Sequence, residues 1–97
     1  MSVNKVDYEL LSQAQSVYAN QASALDEIIN TLTNMNNELQ GGWTNLTAEA
    51  FIQRFESDHK VALQNARDSI QEISTYIAQY SANCQDEDQQ GASAVSG

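Results

Sequence analysis

The sequence predicts an all-α protein, an antiparallel two-helix hairpin that dimerises into a four-helix bundle. The 97 residues contain no proline and only four glycines, so long stretches lack a helix-breaking residue. The glycines fall at Gly41-Gly42 and near the end at Gly91 and Gly97, which gives the order helix, turn, helix, tail. In both long segments, apolar residues recur at alternating steps of three and four, as on one side of a helix.

The first helix is predicted over residues 7–40. Asp7 is a candidate N-cap, and Glu9 in the first turn suits the helix dipole. Leu11 opens a series of apolar residues spaced seven apart, a period typical of helices that pack along their length at a shallow angle. Gly41-Gly42 is expected to end the helix in a left-handed conformation and to open a turn over residues 41–45.

The second helix is predicted over residues 46–84, with Thr44 or Asn45 as its N-cap. Residues 1–84 then form the hairpin, and residues 85–97 form a flexible acidic and polar tail that buries nothing. The apolar residues predicted to line the core and dimer seam of the hairpin are Leu11, Tyr18, Leu25, Ile28, Leu32, Met35, Leu39, Phe51, Phe55, Leu63, Ile70, Ile73 and Ile77.

Dimerisation is predicted because each apolar stripe is wider than one line of helix contact. A chain of this size buries only roughly 60–65% of its unfolded surface, so part of both stripes stays exposed in a single hairpin. Association of two hairpins along these stripes covers that surface. A monomeric hairpin with a modest stripe is the competing interpretation.

Charge argues against nucleic acid as a partner. The chain has 13 acidic and 4 basic residues and a net charge of −9, and its lysines and arginines are too scattered to form a basic stripe. The same charge opposes binding to an anionic membrane, and no apolar stretch is long enough to span a bilayer, so membrane insertion is not expected. The N-terminal residues lack the basic start and apolar core of a cleavable signal peptide.

No enzyme, metal site or cofactor is predicted. The one histidine, His59, lies on the apolar stripe with no second histidine or cysteine at ligand spacing, which favours a packed or interfacial role. The one cysteine, Cys84, continues the stripe as a small apolar residue, with an interchain disulfide as the alternative. A helical hairpin also has no preformed deep pocket for catalysis.

Trp43, the one tryptophan, directly follows the central glycines. It either plugs the end of the core or serves in recognition, and composition favours the plug because buried aromatics most often belong to a core.

Short motifs around this turn resemble those of the WXG family of hundred-residue proteins. The motifs are Gly42-Trp43-Thr44-Asn45 at the turn, Val6-Asp7-Tyr8-Glu9-Leu10 before it and Glu49-Ala50-Phe51 after it, within a hairpin of residues 3–84. Asn45 stands where the family has glycine. Since asparagine tolerates positive φ and caps helices, the same corner is expected.

The resemblance implies a protein made in the cytoplasm of a Gram-positive or related bacterium and secreted without a cleavable signal peptide. Family members are early-secreted-antigen-like (Esx) substrates of type VII secretion, which implies a dimeric, virulence-type factor. It also implies that Gly42, Trp43, Asn45 and a C-terminal segment form a surface for the secretion ATPase. The family's export signal, Tyr-x-x-x-Asp/Glu, has no direct match: Tyr76 and Tyr80 are suitably placed, but no acidic residue follows at that spacing. Either Asp86, Glu87 and Asp88 substitute, or a partner carries the signal.

Two other functions remain open at this point. The chain is alternatively a targeting partner or chaperone that pairs with a larger secreted helical effector. A membrane-disrupting effector is the weaker alternative, since the charge and modest hydrophobicity oppose it. The partner is either a second copy of the chain or a related helical hairpin.

Overall fold

The fold is known from a computed structural model that describes residues 5–96, with side chains described for residues 5–88. This part of the chain contains three α-helices: α1 at Tyr8–Gly42, α2 at Leu46–Arg54 and α3 at Lys60–Ser96. A single π turn, Phe55–His59, joins α2 to α3 into one long arm that packs against α1. The molecule measures 75 × 22 × 17 Å. No strand occurs among residues 5–96, and the predicted all-α class is confirmed.

Local capping sets both ends of α1. The Asp7 side chain accepts a hydrogen bond from the backbone N–H of Leu10 at 3.1 Å, as predicted for an N-cap. At the other end, the backbone N–H of Trp43 donates to the Leu39 carbonyl at 2.8 Å.

The predicted left-handed glycine end of α1 is wrong. Gly41 and Gly42 are the last two residues of the helix, and no glycine among the described residues has a positive φ. The helix ends instead at Trp43, whose backbone is extended at φ −139° and ψ 97°. Because the bond from Trp43 to Leu39 already closes the last turn, no left-handed residue is required.

Asn45 begins the second arm. Its side-chain oxygen accepts a hydrogen bond from the backbone N–H of Ala48 at 2.8 Å, and its φ is −158°. This asparagine is therefore an ordinary extended N-cap, and the positive φ considered for it does not occur.

The π turn interrupts the regular α-helical hydrogen bonding of the second arm. The backbone N–H of Lys60 bonds to the carbonyl of Phe55, five residues earlier. Phe55 itself is buried with 7% of its surface exposed. The sequence predicts one uninterrupted α-helix here and misses this turn.

The backbone of α3 continues to Ser96, past residue 84, where the sequence places the start of a flexible tail. Once a helix is nucleated, each further residue that is fixed adds one backbone hydrogen bond. The segment contains no proline and one glycine, Gly91, to oppose this extension. Residue 97, the last of the predicted tail, lies outside the described residues.

The most deeply buried positions between the two arms include small and polar residues. The buried residues of α1 are Ala22, Ile29 and Asn36, which are seven apart. Opposite them, the Ser74 hydroxyl, with 2% of the residue exposed, donates to the backbone carbonyl of Gln15 at 3.0 Å. Arg67 reaches across to Asp26 at 2.7 Å. Many of the large apolar side chains are exposed instead, and these are available for a different surface.

Candidate protein–protein interface

Nine large apolar side chains form a surface that no part of the described chain covers, which we call the outer face. Between 38% and 60% of each of these residues is exposed. On α1 they lie between residues 10 and 35, and on α3 they lie near the middle of the helix, between residues 73 and 80. The members of the outer face are Leu10, Val17, Tyr18, Ile28, Leu32, Met35, Ile73, Tyr76 and Tyr80.

Both helices present these residues on the same side of the hairpin. Ile28 immediately precedes the buried Ile29 on α1, and Ile73 immediately precedes the buried Ser74 on α3. One residue corresponds to a rotation of about 100° around an α-helix. One residue back along the chain is a rotation of the same sense about each helix axis. Because the two helices are antiparallel and face each other, this rotation turns Ile28 and Ile73 toward the same side of the hairpin. The outer face thus includes both helices near the Ser74–Gln15 contact and lies on α1 alone at Ile28, Leu32 and Met35.

The thirteen residues of the predicted seam divide between two surfaces. Phe55 is buried, and a second group is half-buried: Leu11, Leu25, Leu39, Leu63, Ile70 and Ile77. The remaining six are exposed: Tyr18, Ile28, Leu32, Met35, Phe51 and Ile73. The periodicity identifies the apolar sides of the helices. It does not distinguish the residues that face the other arm from those that remain exposed.

At the turn, Trp43 is half-buried and pairs with an exposed aromatic residue. Its ring lies 5.5 Å from that of Phe51, at an interplanar angle of 48°, which is a favourable tilted arrangement. Beside it is a shallow hollow of about 230 Å³, lined in part by Ala48 and Ile52. This volume is below the roughly 300–1,000 Å³ typical of small-molecule sites, and suits an inserted side chain better.

The other residues predicted for this corner lie at the ends of the two helices that meet there. Gly42 is exposed as the final residue of α1, and Asn45 is exposed as the N-cap of α2. A Cβ added at Gly42 would meet no atom within 4 Å. A residue that the sequence analysis did not select, Leu46, is 84% exposed beside Asn45. The corner therefore has two exposed apolar features, Leu46 and the Phe51 ring that pairs with Trp43.

The predicted export residues lie on α3 between residues 76 and 88. Tyr76 and Tyr80 belong to the outer face, with ring centroids 6.4 Å apart. Asp86, Glu87 and Asp88 are exposed. The Asp88 carboxylate accepts a hydrogen bond from the Tyr8 hydroxyl, which raises the pKa of Tyr8 to about 12. Tyr8, which the sequence analysis names only as part of the N-terminal motif, thus ties this segment to the start of α1.

Within one chain, the turn and the export residues are far apart. The Tyr8–Asp88 bond places the acidic segment at the start of α1, whereas Trp43 follows the end of that helix. The 35 residues of α1 span about 50 Å at 1.5 Å per residue. A single hairpin therefore does not bring these two groups together.

Neither His59 nor Cys84 belongs to a cluster of metal-binding side chains among the described residues. His59 is exposed at the end of the π turn, so it does not pack in the core. Cys84 is half-buried and free, and its contact with Tyr80 raises the pKa of that tyrosine. Among the described residues, no group of three or more His, Cys, Asp or Glu side chains is arranged to hold a metal ion. None of the described helices is apolar enough over a sufficient length to cross a bilayer.

Comparison with known proteins gives one structural relative and one family. The fold is similar to that of EsxA from Geobacillus thermodenitrificans in crystal form I, with a TM-score of 0.78 and 27% sequence identity. The match covers 94% of this chain and 98% of the EsxA chain. No curated protein matches. The family model of WXG100, proteins of 100 residues with WXG, matches residues 4–89. The chain therefore belongs to the WXG100 family.

Proposed function

We propose that this protein is a substrate of a type VII secretion system, exported as a helical hairpin paired with a second helical hairpin through the outer face. Membership of the WXG100 family and similarity to EsxA support this function. The unpaired outer face is the structural observation that carries it, because exposed apolar patches of this extent mark association surfaces. The role is recognition by other proteins rather than catalysis.

Pairing would also bring the Trp43 corner close to the predicted export residues of α3. In an antiparallel pair of hairpins, the Trp43 corner of one chain lies near the C-terminal segment of the other. Trp43, Phe51 and Leu46 would then adjoin Asp86 and Glu87 of the second hairpin when that hairpin is another copy of the chain. This composite surface is the proposed contact for the secretion ATPase, and a virulence-type role would follow export.

Export of a Trp43→Ala variant tests this function. The variant is expected to remain inside the cells while its helical content and its pairing, measured on the purified protein, are retained. Trp43→Phe keeps an aromatic ring against Phe51 and should restore export. Val61→Ala, at an exposed site away from the corner, serves as the control and should be exported normally.

Two outcomes would contradict the proposal. Normal export of Trp43→Ala would remove the corner from recognition. Loss of helical content in the same variant, with normal helicity in Trp43→Phe, would show that Trp43 acts as a plug for the end of the core.

The exposed outer face also supports the second candidate, a targeting partner or chaperone for a larger secreted helical effector. Such an effector would cover the outer face with its own helical hairpin. Export of the effector would then fail when this chain is deleted, whereas a self-sufficient substrate would leave other exported proteins unaffected.

A further inference from the structure

The hollow beside Trp43 combines an apolar lining with a polar rim. Its volume is about 230 Å³, which suits one inserted side chain rather than a separate molecule. The apolar lining consists of Trp43, Ala48 and Ile52, and the polar rim consists of Gln40, Thr44 and Glu49. All three rim residues are exposed. A side chain that enters from solvent would therefore meet an aromatic residue, an alkyl surface and several oxygen acceptors.

Glu49 gives the hollow a negative charge that its own chain does not pair. The residue lies in the first turn of α2, where the helix dipole favours a carboxylate. The ion pairs among residues 5–88 engage Arg54, Lys60 and Arg67, and none of them involves Glu49. The exposed carboxylate is thus available to a cation from another protein.

The end of α1 is a second source of negative potential at the same hollow. A helix carries a partial negative charge at its C-terminus, and the last turn of α1 contains no basic residue. The backbone N–H of Trp43 bonds to the Leu39 carbonyl. Within the described part of the chain, no turn or side-chain donor bonds to the next three carbonyls, those of Gln40, Gly41 and Gly42. These carbonyls remain open to donors from a partner.

We infer that the hollow is a receptor for one arginine side chain carried by a partner protein. The alkyl stem of the arginine would pack against Ile52, and its guanidinium would lie near Trp43 and pair with the Glu49 carboxylate. The open carbonyls at the end of α1 would accept further N–H groups. Arginine fits better than lysine because its planar group has five N–H donors and stacks on aromatic rings, whereas lysine has a compact ammonium.

This inference rests on the recognition role of the Trp43 corner in the proposed function, and it adds the chemistry of the partner side chain. Normal export of Trp43→Ala would remove the corner from export without changing what the hollow binds. Absence of arginine binding by the purified chain would remove the receptor and leave the export role of Trp43 intact. The two failures are therefore distinguishable.

Trp43 is the only tryptophan, so its fluorescence reports on the hollow directly. The purified chain is titrated with N-acetyl-arginine amide at constant ionic strength, with N-acetyl-tryptophan amide as the reference for collisional quenching. We expect a saturable change in fluorescence. N-acetyl-lysine amide should bind more weakly, and the uncharged N-acetyl-glutamine amide should give no saturable change over the same range of concentration.

Two matched variants locate the charge that binds arginine, since Glu49→Gln and Glu72→Gln have the same net charge, −8 instead of −9. Glu49→Gln should weaken the binding of arginine amide about fivefold, the upper range for an exposed ion pair. Glu72→Gln, at an exposed site on α3, should keep the native affinity. In cells, Glu49→Gln should be exported less efficiently than Glu72→Gln.

The inference would be overturned if arginine amide gave no saturable change, or if lysine or glutamine amide bound as tightly as arginine amide. Equal weakening by both variants would also overturn it, because net charge and not the hollow would then attract the cation. Normal export of Glu49→Gln, despite weakened arginine binding, would show that no partner arginine uses the hollow. Circular dichroism of each variant excludes misfolding as the cause of any loss.

Discussion

The Tyr8 hydroxyl donates a hydrogen bond to the Asp88 carboxylate, which joins residues 80 positions apart in the chain. A carboxylate acceptor favours the protonated phenol, and the pKa of Tyr8 is raised from 10.0 to about 12. The folded chain therefore holds this proton more tightly than the unfolded chain does. The stabilisation is fully present below pH 10 and is lost as the pH rises from about 10 to about 12.

The Tyr8→Phe variant should remove the most weakly acidic tyrosine from the titration of the protein. Phenolate absorbance of the native chain is expected to include one component near pH 12, and the difference between native and variant curves isolates it from Tyr80, whose pKa is also raised. Asp88→Asn should lower that component toward the ordinary tyrosine range. Identical curves for the native chain and Tyr8→Phe above pH 10 would show that the bond does not persist in solution.

The Asn45→Ala variant should lower the free energy of unfolding by about 1 kcal/mol, since it removes the acceptor for the Ala48 N–H. Asn45→Asp and Asn45→Ser keep a capping oxygen and should stay close to the native value. Urea unfolding at one fixed protein concentration gives the comparison, because pairing itself adds stability. If Asn45→Ala and Asn45→Ser unfold at the same urea concentration, the cap contributes nothing to the free energy of unfolding.

The Ser74 hydroxyl is expected to contribute modestly to the free energy of unfolding. The small volume of the side chain is expected to contribute more. Ser74→Ala loses the bond to the Gln15 carbonyl and should cost about 1 kcal/mol. Ser74→Leu forces a large side chain into the closest contact between the arms, where Ser74 is 2% exposed, and should cost about 2–3 kcal/mol. Thermal unfolding ranks the two variants, and a Leu variant as stable as the native chain would mean that the arms separate easily here.

Placing a charge on the outer face should abolish pairing without unfolding the hairpin. Leu32 is 40% exposed, so Leu32→Asp costs little in a single hairpin but buries an unpaired carboxylate in a pair. Sedimentation should then report single chains with retained helical content. Asn30→Asp adds the same charge on the opposite side of α1 and should leave pairing intact; equal loss in both variants would implicate net charge instead of the outer face.

The features predicted correctly from the sequence are those set by residues close together in the chain. Asp7 and Asn45 cap their helices through backbone N–H groups three residues later, and this pattern is visible in the sequence. The absence of proline likewise predicts two long arms. The class of the fold follows from these local signals and the apolar period.

Features that depend on contacts between the arms were not predicted. The three deeply buried residues of α1, Ala22, Ile29 and Asn36, include a small and a polar side chain, so hydrophobicity alone does not identify them. Tyr8 and Asp88 meet only because of the register of the arms, which no local pattern specifies. The end of α1 was misassigned because Gly41-Gly42 permits left-handed backbone but does not impose it.

The π turn has a consequence for how the chain length can vary. A ring closed by a bond from Lys60 to Phe55 holds one residue more than an α-helical turn. Deleting one residue among 56–58 would convert the turn into ordinary α-helix and leave both flanking helices in phase. A single deletion elsewhere in α3 would instead rotate the residues beyond it by about 100°, moving Tyr76 and Tyr80 relative to the arm that they now flank. Deletion of one residue is thus tolerable within this turn and disruptive along the rest of α3.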